Sequence, residues 1–137
     1  MKRQHFGTAI VALIVLTCLL APAASHSQEA MLQVASAVFC KKVEGLAAVD
    51  EGSSFPASVG RLFCLTHIEN IQDATDIFHV WYYGDIERAR VRLSVNSPGW
   101  RTYSSKIIQS HETGAWRVDI LDGSGNLLKS VQFEITP

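Results

Sequence analysis

A chain of 137 residues is enough for one domain. Its 12 Lys and Arg against 13 Asp and Glu leave a formal charge of −1. That balance supplies no basic field, which excludes nucleic-acid binding and attraction to an anionic membrane surface as organising roles.

The first segment reads as a targeting signal. Met1-Lys2-Arg3 is basic, Phe6 to Leu20 is almost wholly apolar, and Ala21-Pro22-Ala23-Ala24-Ser25 offers small residues for a signal peptidase. A signal peptide is expected over residues 1–25 and a single domain over 26–137. The apolar run of about 15 residues is shorter than the roughly 20 that span a bilayer, so a retained anchor is the alternative. Cys18 at the end of the run raises acylation as another, although Thr17 stands where a smaller residue is normally required. Export to the periplasm or the extracellular space follows, with the membrane reached only through an uncleaved segment. Cleavage removes Lys2 and Arg3, so 10 cations face 13 acids and the charge becomes −3. Cys40 and Cys64 remain. In an oxidising compartment an even pair predicts a disulfide, which would close a loop of about 25 residues and contribute roughly 3.5 kcal/mol. Two separately buried thiols are the alternative.

From Gln33 onward, short apolar stretches are separated by turn residues every eight to twelve positions, the rhythm of an all-β sandwich. The first strand covers 34–41. Residues 43–58 read as irregular, with Glu44-Gly45, Asp50 to Ser54 and Pro56 as turn formers. Residues 60–69 alternate, which places Leu62, Cys64, Thr66 and Ile68 on one face. After the polar loop 72–76, strands at 77–83 and 88–95 make a hairpin around Gly84-Asp85-Ile86-Glu87. Asn96-Ser97-Pro98-Gly99 turns the chain into a strand near 101–108. Strands 115–121 and 127–135 form the closing hairpin around Asp122 to Asn126. Seven strands result, as in an immunoglobulin-like or fibronectin-like antiparallel sandwich.

The motifs His79-x-Trp81-x-Tyr83, Trp100-Arg101 with Ser104-Ser105-Lys106, and Thr113-Gly114-x-Trp116 resemble the domain-of-unknown-function family 2914. These are bacterial domains of exported or membrane-attached proteins. The resemblance runs from about Val34 to Ile135, with Cys40 and Cys64 like those of a cysteine-bearing subset, and Glu112 departs from the pattern. It implies an all-β domain in a non-cytoplasmic setting and no particular reaction.

The stretch from His79 to Lys106 holds Trp81 and Trp100, all three tyrosines, and Arg88, Arg90 and Arg92 spaced two apart. Strand parity decides what it is. A hairpin loop of two or four residues sets Trp81 opposite Arg90, His79 opposite Arg92 and Tyr83 opposite Arg88. All six then share an aromatic and guanidinium platform fit for a sugar, a carboxylate or a peptide. A loop of three or five residues inverts this, packs Trp81 against Val91 and His79 against Leu93, and makes the aromatics core. The arginines then form a solvated face beside Glu87, Asp85 and Asp119. Trp100 either plugs the end of the sandwich or stands out as a contact residue. Ser104, Ser105 and Lys106 line a polar groove or form an ordinary edge strand.

Reactive motifs are missing. There is no G-x-S-x-G elbow, no H-E-x-x-H and no C-x-x-C. Cys64 and His67, three apart on a strand, point to opposite faces and make a poor zinc pair. The glycines near Gly123 lead into a strand and not into a phosphate-holding helix. Asn96-Ser97 is followed by Pro98 and is no glycosylation site. No catalytic residue, cofactor or metal is expected.

The leading expectation is a non-catalytic binding or scaffolding module whose partner is an envelope protein or a glycan. Its candidate contacts are His79, Trp81, Tyr83, Arg90, Trp100, Arg101 and Lys106. The alternatives are an envelope hydrolase using His79 with Ser104 or Ser105, and a purely structural domain in which Trp81 and Trp100 are both buried.

Overall fold

The computed structural model describes residues 31–137, so the expected signal peptide lies outside the described residues. Nine strands follow in order: β1 (Gln33–Glu44), β2 (Ala47–Gly52), β3 (Ser54–Pro56), β4 (Arg61–Glu69), β5 (Thr75–Tyr83), β6 (Ile86–Val95), β7 (Trp100–Ile107), β8 (Gly114–Asp122) and β9 (Leu127–Thr136). They form a four-stranded sheet in the order β2-β1-β4-β7 and a five-stranded sheet in the order β3-β9-β8-β5-β6. All pairings are antiparallel except that of β3 with β9. The sandwich expected from the apolar rhythm is present, with nine strands in place of seven.

Both additional strands fall in the segment read as irregular. Gly45 and Leu46, each with a positive φ (54° and 58°), make a two-residue turn that folds β2 straight back onto β1. A leucine at such a position gives no sequence signal for a hairpin. The three-residue β3 pairs in parallel along the edge of β9, too short to show a period.

Alternation on β4 is as expected: Leu62, Cys64, Thr66 and Ile68 are all fully buried. They meet Ile77, Trp81, Val118, Ile120, Phe133 and Ile135 of the other sheet. The aromatic heart is Phe133, with ring centroids 4.5 Å from Phe39, 6.2 Å from Trp81 and 5.8 Å from Trp116, the last pair stacked at 15°. Offset and edge-to-face contacts of this kind contribute about 0.5–1.5 kcal/mol each beyond the area they bury.

The expected disulfide is not formed: Cys40 and Cys64 are both free, buried thiols. Register explains why. Phe39 stands opposite Cys64, and Cys40 stands opposite Phe63. The two cysteines are offset by one residue and their side chains leave opposite faces of the sheet, which no disulfide geometry tolerates. Cys64 lies in the core and Cys40 on the outer face. Burial pushes the pKa of both thiols up, so neither is a reactive thiolate. In protein freed of residues 1–25, a thiol reagent should find almost nothing in the native state and two thiols per chain after denaturation. A denatured, unreduced sample with no titratable thiol would contradict this register.

The hairpin of β5 and β6 settles the parity question in an unexpected way. Tyr83 pairs with Ile86, so the loop is the two residues Gly84-Asp85. By loop length alone, Trp81 would face the arginines. A bulge intervenes: Tyr82 pairs with Glu87 but Trp81 pairs with Ala89, leaving Arg88 as the extra residue. Beyond it His79 faces Val91, Ile77 faces Leu93, and the whole set His79, Trp81 and Tyr83 turns inward.

Candidate functional site

Three histidines lie among the described residues, and His79 is the one placed between the sheets. It is fully buried, and both ring nitrogens cross to the opposite sheet. Nδ1 lies 2.6 Å from Ser104 Oγ on β7 and Nε2 lies 3.2 Å from Thr66 Oγ1 on β4. Trp81 Nε1–H donates to Ser104 Oγ at 3.0 Å, and the Thr66 hydroxyl donates to the Thr102 carbonyl at 3.2 Å. One arrangement of protons serves every donor. The indole N–H donates to Ser104, Ser104 O–H donates to Nδ1, Nε2–H donates to Thr66, and Thr66 O–H donates to the carbonyl. The histidine is therefore the neutral Nε2–H tautomer. Burial pushes its pKa down to about 4, since a charged imidazole would lose its hydration. Protonating Nδ1 would also place two donors against Ser104 and strand the hydroxyl proton.

His79 and Ser104 are thus as close as a hydrolase would need. The arrangement nevertheless works as a clamp between sheets. Ser104 is 5% exposed, its acceptor side is filled by the indole N–H, and the base behind it is weak. The third group on the imidazole is a hydroxyl and not a carboxylate. Ser105 points away from His79 and accepts a hydrogen bond from Arg61 Nη1 at 2.7 Å.

The seven candidate contacts do not converge. His79 and Trp81 are buried and out of reach of a ligand in solvent. Tyr83 is half-buried, its hydroxyl donating to the Thr113 carbonyl at 2.7 Å and its ring centroid 5.0 Å from that of Trp116. Arg90 stands on the outer face of the five-stranded sheet, paired with Glu87 at 2.7 Å. Arg101 lies on the outer face of the four-stranded sheet, beside a shallow hollow of about 690 Å³ shared with Val38, Leu46, Glu51 and Leu65. Lys106 is at the far end of β7, where Nζ donates to the Ile107 carbonyl at 3.0 Å. Trp100 alone among them combines a large apolar surface, 44% exposed, with a hollow.

The arginine stripe is neutralised by carboxylates, as a solvated face requires: Glu87 serves Arg90 as expected, while Asp85 and Asp119 go to Arg117 and the other two arginines take different partners. Arg92 pairs with Asp76, Arg90 with Glu87, and Arg117 with Asp85 and Asp119. Arg117 also lies 3.9 Å over the Tyr82 ring. Arg88, thrown out of the ladder by the bulge, pairs with Glu112. That carboxylate is 1% exposed and also accepts from the Gln109 N–H at 2.8 Å. The Glu112 carbonyl accepts from Trp116 Nε1–H at 2.9 Å. Glu112 therefore ties the loop before β8 to the bulge.

Trp100 is placed by its neighbours on both sides. Ile71 N–H donates to the Pro98 carbonyl at 3.0 Å, which fastens the 96–99 turn to the end of β4. A Cβ on Gly99 would meet the Ile68 carbonyl at 3.4 Å, an ordinary van der Waals contact, so the turn packs closely against the end of β4. Trp100 then pairs with Ile68 as the first residue of β7. Its hollow, about 320 Å³, is lined by Ala74, Thr75, Asp76, Ser94, Val95 and Asn96. Asp76 and Ser94 are cross-strand partners. Arg92 Nε donates to Asp76 Oδ2 at 2.8 Å and Ser94 Oγ to Oδ1 at 3.2 Å. The Arg92 guanidinium holds this carboxyl below the usual carboxylate range. Asp76, Ser94 and Asn96 were not singled out from the sequence. Their only signal was the polar end of each strand, and they converge only once the β5–β6 register is known.

Among the described residues, no group of three or more His, Cys, Asp or Glu is placed to hold a metal ion.

Two packed sheets, clamped through a buried imidazole and carrying an aromatic hollow at the loop end, define a β-sandwich domain. The family model described as "Protein of unknown function (DUF2914)" matches residues 74–135. The family resemblance holds over this segment, which carries β5 to β9 and every motif that suggested it. Residues 34–73, with both cysteines, lie outside the match. No curated protein matches the chain. Among solved structures, the β-glucosidase from Listeria innocua, alone and in complex with isofagomine, is similar at 13% identity and a TM-score of 0.43. The alignment covers 77% of this chain but 16% of that one. A likeness so slight carries no argument about activity.

Proposed function

We propose that the protein is a non-catalytic, exported binding module of the bacterial envelope that engages its partner through the hollow at Trp100. The observation that carries the reading is an indole 44% exposed at the mouth of a polar-rimmed hollow. A buried purely structural domain would cover both Trp81 and Trp100, and Trp100 is open. The hydrolase reading has the 2.6 Å contact of His79 with Ser104 in its favour, but burial removes both groups from any substrate.

The test is co-sedimentation of the protein without residues 1–25 with washed bacterial envelopes. Wild type should pellet, and Trp100→Ala should remain in solution. Tyr103→Ala, which removes an exposed aromatic on the outer face of β7, should pellet like wild type. Equal pelleting of Trp100→Ala and wild type, with both folded by near-UV dichroism, would remove this hollow from the function.

A further inference from the structure

We infer that the Trp100 hollow is built for an uncharged carbohydrate, an oligosaccharide of pyranose rings. This rests on the reading of the hollow as the binding site and adds the chemical class of its ligand.

Three features select that class. The first is a half-exposed indole lining the same hollow as the buried Val95, since the apolar C–H face of a sugar ring packs on such a flat aromatic surface. The second is the kind of polar group at the rim. Asp76 and Ser94 are fixed by each other and by Arg92, with free lone pairs left to accept from hydroxyl groups. Asn96 Oδ1 is taken by the Ser97 N–H at 2.8 Å, so its amide N–H groups are what a ligand meets. Carboxylate and hydroxyl acceptors beside amide donors are the complement of a polyol. The third is charge. Arg92 cancels Asp76, so the rim offers hydrogen bonds without the net charge that would draw in an anion or a cation.

The room is adequate. Ligand sites run from about 300 to 1,000 Å³, and the hollow holds about 320 Å³. It shares Thr75 and Asp76 with a second hollow of about 480 Å³ that Asn70, Gln72, Asp73, Asp122 and Ser124 help to line, where two further carboxylates add acceptors for hydroxyl groups and disfavour an anionic ligand. A chain of two or more rings would pass across that shared edge.

The experiment is a fluorescence titration of the protein without residues 1–25, with acrylamide present. Trp81 and Trp116 are buried and Trp100 is not, so quenching reports on Trp100. The probes are short β-1,4-glucan, α-1,4-glucan and chitin oligosaccharides, with a proline-rich peptide and an oligolysine peptide as comparisons. At least one oligosaccharide should protect Trp100 from quenching at millimolar concentration or below, and neither peptide should. Isothermal titration with that sugar should show at least a tenfold loss in Trp100→Ala and several-fold in Asn96→Ala. Protection by a peptide and by no sugar would overturn the carbohydrate inference while leaving the binding-module reading standing. No protection by any probe would also overturn it, and the envelope co-sedimentation then decides separately whether the hollow binds at all.

Discussion

Trp81→Ala should cost about 3–5 kcal/mol, enough to unfold much of a domain whose total stability is of the order of 5–15 kcal/mol. Trp81 is wholly buried, with its ring centroid 6.1 Å from Phe39 and 6.2 Å from Phe133. Truncation empties a site bounded by both sheets that neither can collapse to fill, because His79 and Ser104 hold them apart at a fixed distance. It also removes the N–H that Ser104 accepts. Trp81→Phe separates the two effects. It keeps most of the ring, loses one buried hydrogen bond, and should cost about 1–2 kcal/mol. Urea denaturation with a common slope reads both. Had Trp81 been part of an outward platform, either change would fall within about 0.5 kcal/mol. A small loss in Trp81→Ala would therefore discard the inward register along with the clamp.

That register marks the limit of what the sequence could say. Alternation alone placed Leu62, Cys64, Thr66 and Ile68 on one face, which the structure buries in the core, because each strand shows its two faces directly. The relation between strands is a different quantity. The two-residue Gly84-Asp85 loop argues for the outward platform, and the bulge at Arg88 reverses it. Nothing in "DIERARVR" distinguishes a bulged arginine from the two regular ones after it. Its signature is tertiary: the buried carboxylate of Glu112, 24 residues on, to which it bonds. The cysteines failed for the same reason, since their spacing is compatible with a bridge and only the β1–β4 offset forbids one. The Trp100 hollow was half legible. The Pro-Gly turn and the indole were visible, but the polar groups that give it a chemistry come from the ends of β5 and β6.

Acid should weaken the fold through His79 before it reaches any carboxylate. The folded imidazole has its pKa pushed down to about 4, against about 6.5 in the unfolded chain. A group with a depressed folded pKa contributes its full stability above the unfolded value. That stability drains as pH falls, because only the unfolded state then takes up the proton. Between pH 7 and pH 4 the loss should be about 3 kcal/mol, at roughly 1.4 kcal/mol per pH unit once below 6.5. Asp76, held down by Arg92, titrates lower. So does Asp122, whose hydrogen bonds from Asn126 and Ser124 outweigh its own desolvation. Their contributions fade only below about pH 4, leaving the upper window to the imidazole. His79→Gln provides the control. A glutamine oxygen can accept from Ser104 and its amide can donate to Thr66 in the same direction as the Nε2–H tautomer, without a titrating group. The variant should be less stable at pH 7 yet lose far less between pH 7 and 4, as followed by urea midpoints at half-unit steps. If its stability falls with acid as steeply as that of wild type, the buried imidazole is not the acid-sensitive group and the neutral relay through Ser104 and Thr66 is wrong.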